Sequence, residues 1–309
     1  MGGIAVRAAR RPGRMAGAAV GAGRTSSGAG RRLRLRKTAG RIVLYAFLMF
    51  FALLQLFPLV WLFNYSLSTS GELFGPELIK PPRSLQWVNY ARAWTDGRIP
   101  MYLMNSLIIV SVSVVCSTLF AFFIGYACTR MVWKLRLLVF NIVMLGMIVP
   151  IHTTLLPNFV WFKIFGLLNT RVGLTIPYIA FTLSFNTLMF SGMLKALPRS
   201  VEESAWIEGA GMGRLLFEVV APMVTPAFAT VGIMTFLTNW NEFIMANTFL
   251  ASEKLRTIPF SVIRFEGEYA SQYAVQFACM ALAAIPAIVL YFLFNKWIIA
   301  GVTAGAVKG

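Results

Sequence analysis

The chain has one histidine, three cysteines and only 11 acidic residues among its 309. Each scarcity excludes something. A lone histidine, His152, leaves a membrane-embedded nucleophile almost no choice of base, and no Gly-x-Ser-x-Gly turn is present, so a membrane protease lacks its constellation. His152 stands beside Pro150, where an interfacial or helix-packing role is expected. Cys116, Cys128 and Cys279 are odd in number, at spacings that suit no metal, and all three fall inside apolar runs. No Walker A pattern occurs, so a nucleotide site belongs elsewhere. Charge as a whole is sparse: Asp, Glu, Lys and Arg make up 13% of the chain. The alternation over about ten residues that marks a transmembrane strand is also missing.

What the chain does have is apolar length. It is 58% apolar, with a mean hydropathy of +0.72, above the usual soluble composition. About 20 apolar residues in a helix cross a hydrocarbon core about 30 Å thick. Helices are the expected crossing elements because lipid offers the backbone no partners. Six spans are expected in an all-α membrane protein: 42–64, 102–128, 137–157, 172–194, 224–247 and 276–299. The first begins after Arg41 and is too long, and too far from the start, for a cleavable signal peptide. Between the first two, residues 65–100 carry turn formers and then Trp87, Tyr90 and Trp94, which predict a helix at the membrane interface. A second short interfacial element is expected over 158–171. Residues 248–275 are polar enough to reach water and a partner.

The formal charge of +17 is concentrated. Eleven of the 28 Lys and Arg residues lie at or before Arg41, among Gly, Ala and Ser. Residues 1–40 are therefore expected to be a disordered basic leader and 41–309 the membrane domain. A nucleic-acid tail is one reading of such a leader. A topology signal fits better, because the positive bias continues at Arg130, Lys134 and Arg136 and again at Lys195, Arg199 and Arg214. Both termini are then expected inside, and no nucleic acid is expected as a partner.

The loop at 198–222 is unusual. Ser200 and Glu203 have the spacing of a capping box, predicting a short helix over about 200–208. Gly209, Gly211 and Gly213 then break it. Arg214 and Glu218 stand four apart on one face, and Pro222 and Pro226 restart the chain. A solvated connector would explain the caps. It would not explain the apolar Val201, Ala205, Trp206 and Ile207 beside carboxylates, a pattern that points to a docking surface.

Glu203-Ser-Ala-Trp-Ile-Glu208-Gly209-Ala210, followed by Pro222 and Pro226, resembles the EAA loop of importer-type ABC permeases. Ser204 stands where that pattern has alanine and Glu208 where it has aspartate. "NSLIIVSVSVV" from Asn105 is similar to the start of the permease core, and "NWNEF" at 239–243 to a motif of the carbohydrate branch. The tail "AGVTAGAVKG" at 300–309 is similar to that of the maltose-permease, MalG-like subunit. The resemblance covers about 40–309.

It implies a six-helix type I importer permease, with both termini inside and a cytoplasmic EAA coupling helix, multi-pass in the bacterial inner membrane. Its implied partners are a second permease, an ABC ATPase dimer, an extracytoplasmic solute-binding protein, the bilayer and a carbohydrate. The chain itself would bind no cofactor and perform no catalysis; ATP and magnesium would be used by the ATPase. Glu203, Ala205, Glu208, Gly209 and Ala210 would couple to that ATPase. Gly305, Lys308 and Gly309 in the tail would also touch it. Asn239, Trp240, Asn241 and Glu242 are candidates for the translocation path.

The alternative is an ion-coupled secondary transporter of a small polar solute. Such proteins carry ionisable relays within their spans, and Glu242 is the main such residue here. A membrane anchor without a path is a third reading, against which Asn105, Asn141, Asn186, Asn239 and Asn241 weigh. Hydrogen bonding between helices is the plainer role for any one of these amides.

Overall fold

A computed structural model describes residues 26–72, 80–265 and 272–306. Every regular element among them is helical. The chain divides into two compact units, Met1–Pro58 and Leu59–Gly309.

Helix α1 runs Ser26–Ser66. It begins before Arg41, inside the stretch expected to be the basic leader. Residues 1–25 lie outside the described residues. Arg, Leu, Lys and Ala are all good helix formers, and a helix already nucleated by an apolar span extends at low cost. Helix α2 (Val88–Thr95) matches the expected aromatic helix. Asn89 Nδ2 donates to the Ser66 and Ser68 carbonyls at 3.0 and 2.9 Å, and Tyr90 hydrogen-bonds Ser66 Oγ at 2.7 Å.

Helices α3 (Ile99–Thr129) and α6 (Arg171–Ala196) match the second and fourth expected spans. The third, 137–157, is not one helix. It is α4 (Arg136–Leu145), a break, a 3-10 turn over Ile151–Thr154 and α5 (Leu155–Ile164). Pro150 has no N–H and disfavours helix at Val149. Ten residues of α4 reach only about 15 Å.

After α6 come α7 (Arg199–Ile207), α8 (Met212–Arg214), a π-helical stretch (Leu215–Val220), α9 (Ala221–Met223) and α10 (Thr225–Trp240). The segment 212–223 meets α10 at a bend of 78°. Pro226 lies in the first turn of α10, where a missing N–H costs nothing. The fifth expected span, 224–247, thus ends at Trp240. Helices α11 (Ile244–Phe249), α12 (Phe260–Ile263) and α13 (Tyr273–Ala306) complete the chain. Among the described residues, four helices are long and apolar enough to cross a membrane, five if the bent pair forms one span.

The second unit has two apolar clusters with a polar layer between them. Ile109, Val110, Tyr178 and Phe236 belong to one cluster, and Ala121, Phe122, Phe190 and Val231 to the other. Between them in the sequence of α3, α6 and α10 stand Ser117, Thr182, Asn186 and Thr235, all buried. Asn186 Nδ2 donates to Ser117 Oγ at 2.8 Å and to Thr235 Oγ1 at 2.9 Å, and Ser117 hydrogen-bonds Thr182 at 2.8 Å. Bonds of this kind are worth roughly 0.6–2 kcal/mol each in a membrane, and their directionality sets the register of three helices at once. At Gly125, α3 comes so close to α6 that an added Cβ would lie 3.2 Å from Phe190 Cβ.

Candidate coupling site

The loop after α6 is shaped by its prolines and one glycine. Leu197 is extended, with φ −70° and ψ 139°, because the residue before a proline avoids the helical region. Pro198 is therefore the N-cap, and α7 starts at Arg199. The expected capping box at Ser200 and Glu203 is not formed: no side chain caps α7, since the helix starts two residues earlier than that box requires.

The other end follows the expectation closely. Gly209 has φ +80°, a left-handed conformation that suits glycine best. The Gly209 N–H donates to the Trp206 carbonyl at 3.0 Å, and the Ala210 N–H to the Ala205 carbonyl at 2.9 Å. This pair of bonds is a Schellman closure, which satisfies carbonyls at the helix end. The hydrophobic contact that accompanies such closures is present, because Ala205 and Ala210 are both buried in the cluster that holds Phe122, Tyr126, Phe190 and Leu194.

That burial divides the expected coupling residues. Ala205 and Ala210 face their own bundle and seat α7 on it; they are not on the free face. Glu203, Ser204, Trp206, Ile207, Glu208 and Gly209 are exposed, with Ile207 at 87% and Trp206 at 48%. An apolar pair flanked by two carboxylates thus stands on a short helix with a fixed base. Arg214 and Glu218 pair at 2.8 Å on the exposed side of the next turn, a contact worth little in solvent.

Sequence reasoning missed Glu202. Its carboxylate accepts from Arg130 Nε at 2.7 Å and from the Tyr126 hydroxyl at 3.1 Å. The same guanidinium donates through Nη1 to the Leu197 carbonyl at 3.2 Å. The side chains of Arg130 and Glu202 are 5% and 14% exposed. Only their opposite charges hint at this in the sequence, for they lie 72 residues apart.

The four path candidates also separate. Asn239 and Trp240 are buried. Trp240 donates to the Ala283 carbonyl at 3.1 Å and stacks on Phe236, so it is engaged in packing α10 on α13. Asn239 Nδ2 is buried without a hydrogen-bond partner. Asn241 and Glu242 line a cavity of about 630 Å³ with His152 and Thr238. Glu242 accepts from the Tyr178 hydroxyl at 2.7 Å and from the Met245 and Ala246 N–H groups at 2.7 and 3.1 Å. It therefore closes the first turn of α11, which ends the fifth span early. Of the tail residues, Gly305 lies within α13; Lys308 and Gly309 lie outside the described residues.

Among known proteins, the family model described as the binding-protein-dependent transport system inner membrane component matches residues 117–303. A sulfoquinovosyl glycerol transport system permease protein, SmoH of Agrobacterium fabrum, is 31% identical, over 82% of this chain and 89% of that one. A trehalose/maltose transport system permease protein, MalG of Thermococcus litoralis, is 30% identical, over 87% of this chain and 97% of that one. Among solved structures, a chain of a bacterial ABC transporter involved in import of the acidic polysaccharide alginate superposes with a TM-score of 0.74 at 23% identity, covering 84% of this chain and 97% of that one.

Proposed function

The chain belongs to the family of binding-protein-dependent transport system inner membrane components, and on that premise we propose that it moves a carbohydrate across the bacterial inner membrane by coupling α7 to a partner ATPase. The family is one of transport subunits, so ATP hydrolysis is assigned to that partner. The carbohydrate follows from what the permeases SmoH and MalG are named for.

The observation that carries the coupling reading is the geometry of α7. Its rear, Ala205 and Ala210, is buried in the bundle, and its front presents Trp206 and Ile207 between Glu203 and Glu208. Exposed apolar groups rimmed by charge are a docking surface. A helix of nine residues held at both ends moves as one body, so a cleft that shifts when an ATPase dimer closes would carry α7 with it. The bundle then exchanges between two arrangements whose populations ATP biases.

A second permease subunit and an extracytoplasmic solute-binding protein complete the complex. Gly305, Lys308 and Gly309 are proposed to add a tail contact with the ATPase. Asn241 and Glu242, which line the cavity beside His152, are the better placed of the four candidates for the path. Glu242 is less suited to the relay that an ion-coupled transporter needs, because three hydrogen bonds already engage its carboxylate.

The test is uptake by vesicles carrying this chain with its co-purifying subunits. ATP-dependent entry of sugar that fails when Ile207 is changed to Asp supports the reading. Entry without ATP contradicts it.

A further inference from the structure

Arg130 sits where three helices meet. It is the C-cap residue of α3. Its Nη1 binds the carbonyl of Leu197, the C-cap residue of α6, and its Nε binds Glu202 in the first turn of α7. Tyr126, one turn back on α3, donates to the other oxygen of the same carboxylate. One planar guanidinium thus fixes the end of α6 and the start of α7 to the end of α3.

The remaining attachment of α7 is apolar. Ala205 and Ala210 lie in the cluster with Ala121, Phe122 and Leu194. Alanine methyls resist separation but give little directional hold, because apolar burial scales with area and not with angle. A charge-assisted bond from a planar guanidinium that also holds the Leu197 carbonyl has geometry as well as strength. A buried pair is a weak source of net stability, so the directional hold is the better account of this one.

We infer that Glu202 is a positioning residue, and that the Arg130–Glu202 joint, braced by Tyr126, is where a movement of α7 becomes a movement of α3 and α6. This rests on the proposed coupling role of α7. Glu202 stands one turn before Trp206 on α7. Its side chain is only 14% exposed where Trp206 is 48% and Ile207 87% exposed, so the joint is covered by the bundle while the apolar pair is open. Arg214–Glu218, exposed on both sides at 67% and 63%, has no such role.

The test has two readouts. The first uses the full chain in nanodiscs, with Cys116, Cys128 and Cys279 replaced and spin labels placed at Val132 and Ser204, both exposed. Glu202→Gln leaves the guanidinium buried without its counter-charge, and the distance distribution between the labels is expected to broaden about twofold. Arg130→Lys, which keeps charge but loses the planar guanidinium, should broaden it less. The second readout is ATP-driven uptake by the unlabelled complex. Glu202→Gln should lower solute moved per ATP about tenfold while the ATPase remains bound, since an unpaired buried charge costs enough for such a factor. Glu218→Gln should change neither.

An unchanged distance width overturns the joint. A broadened width with normal uptake overturns its role in transmission. If the unsubstituted complex shows no ATP-dependent uptake, the proposed function fails, and with it transmission; the distance widths alone then decide whether the joint holds α7.

Discussion

The amide of Ala210 donates to the carbonyl of Ala205 at 2.9 Å across a left-handed Gly209. That one bond reverses the chain, buries both alanine methyls and leaves Trp206, Ile207 and Glu208 facing out. The shape of the proposed docking surface on α7 depends on it.

Gly209 has open space around its missing Cβ, so a substitution there is strained but not clashing. A left-handed conformation costs a branched residue roughly 1–2 kcal/mol and asparagine less. Gly209→Val should leave the chain inserted and abolish uptake, while Gly209→Asn should retain a good part of it. Equal uptake by both variants would count against the turn as the source of coupling.

Ala205 and Ile207 are two residues apart and should behave oppositely. Ala205→Leu overpacks a buried site, with a cost of about 1–3 kcal/mol, and should lower the unfolding temperature in detergent. Ile207→Ala removes an exposed side chain and should leave that temperature unchanged while weakening capture of the ATPase. Measuring unfolding and capture for both variants checks the assignment of faces.

Much of α7 was legible in the sequence. Pro198 and Gly209 mark its ends, and the apolar Trp206 and Ile207 beside carboxylates do stand exposed on it. Which alanines face inward was not legible, because a motif records residue types and not the bundle behind them. The third span shows a different failure. Gly146 and Pro150 stood in plain view, but high hydropathy around them outweighed the turn signal. Glu202 could not be found because its partners, Arg130 and Tyr126, become neighbours only when α3 and α7 meet. The serines of α3 were more accessible. Ser106, Ser113 and Ser117 recur at helical spacing on one face, and all three are buried.

The polar layer offers a stability test. Asn186→Ala removes bonds to Ser117 and Thr235, and at about 0.6–2 kcal/mol each the loss should be plain in thermal unfolding. Asn141→Ala, on the exposed side of α4, should have no comparable effect. The same drop for both would mean that the buried network holds nothing in particular.

Glu242→Gln keeps the shape of the side chain and removes its charge. If the carboxylate closes α11, uptake should fall only a few-fold, as the loss of a helix-end hydrogen bond of about 1 kcal/mol implies. Complete loss of uptake, with the protein still folded, would favour a relay at Glu242 and the ion-coupled reading.

The most direct test of the central claim is purification of the tagged chain in mild detergent, with identification of what accompanies it. The account predicts an ABC ATPase and a second permease; Ile207→Asp should release the ATPase and keep the permease. A chain that purifies alone, and still moves solute into vesicles without ATP, would contradict it.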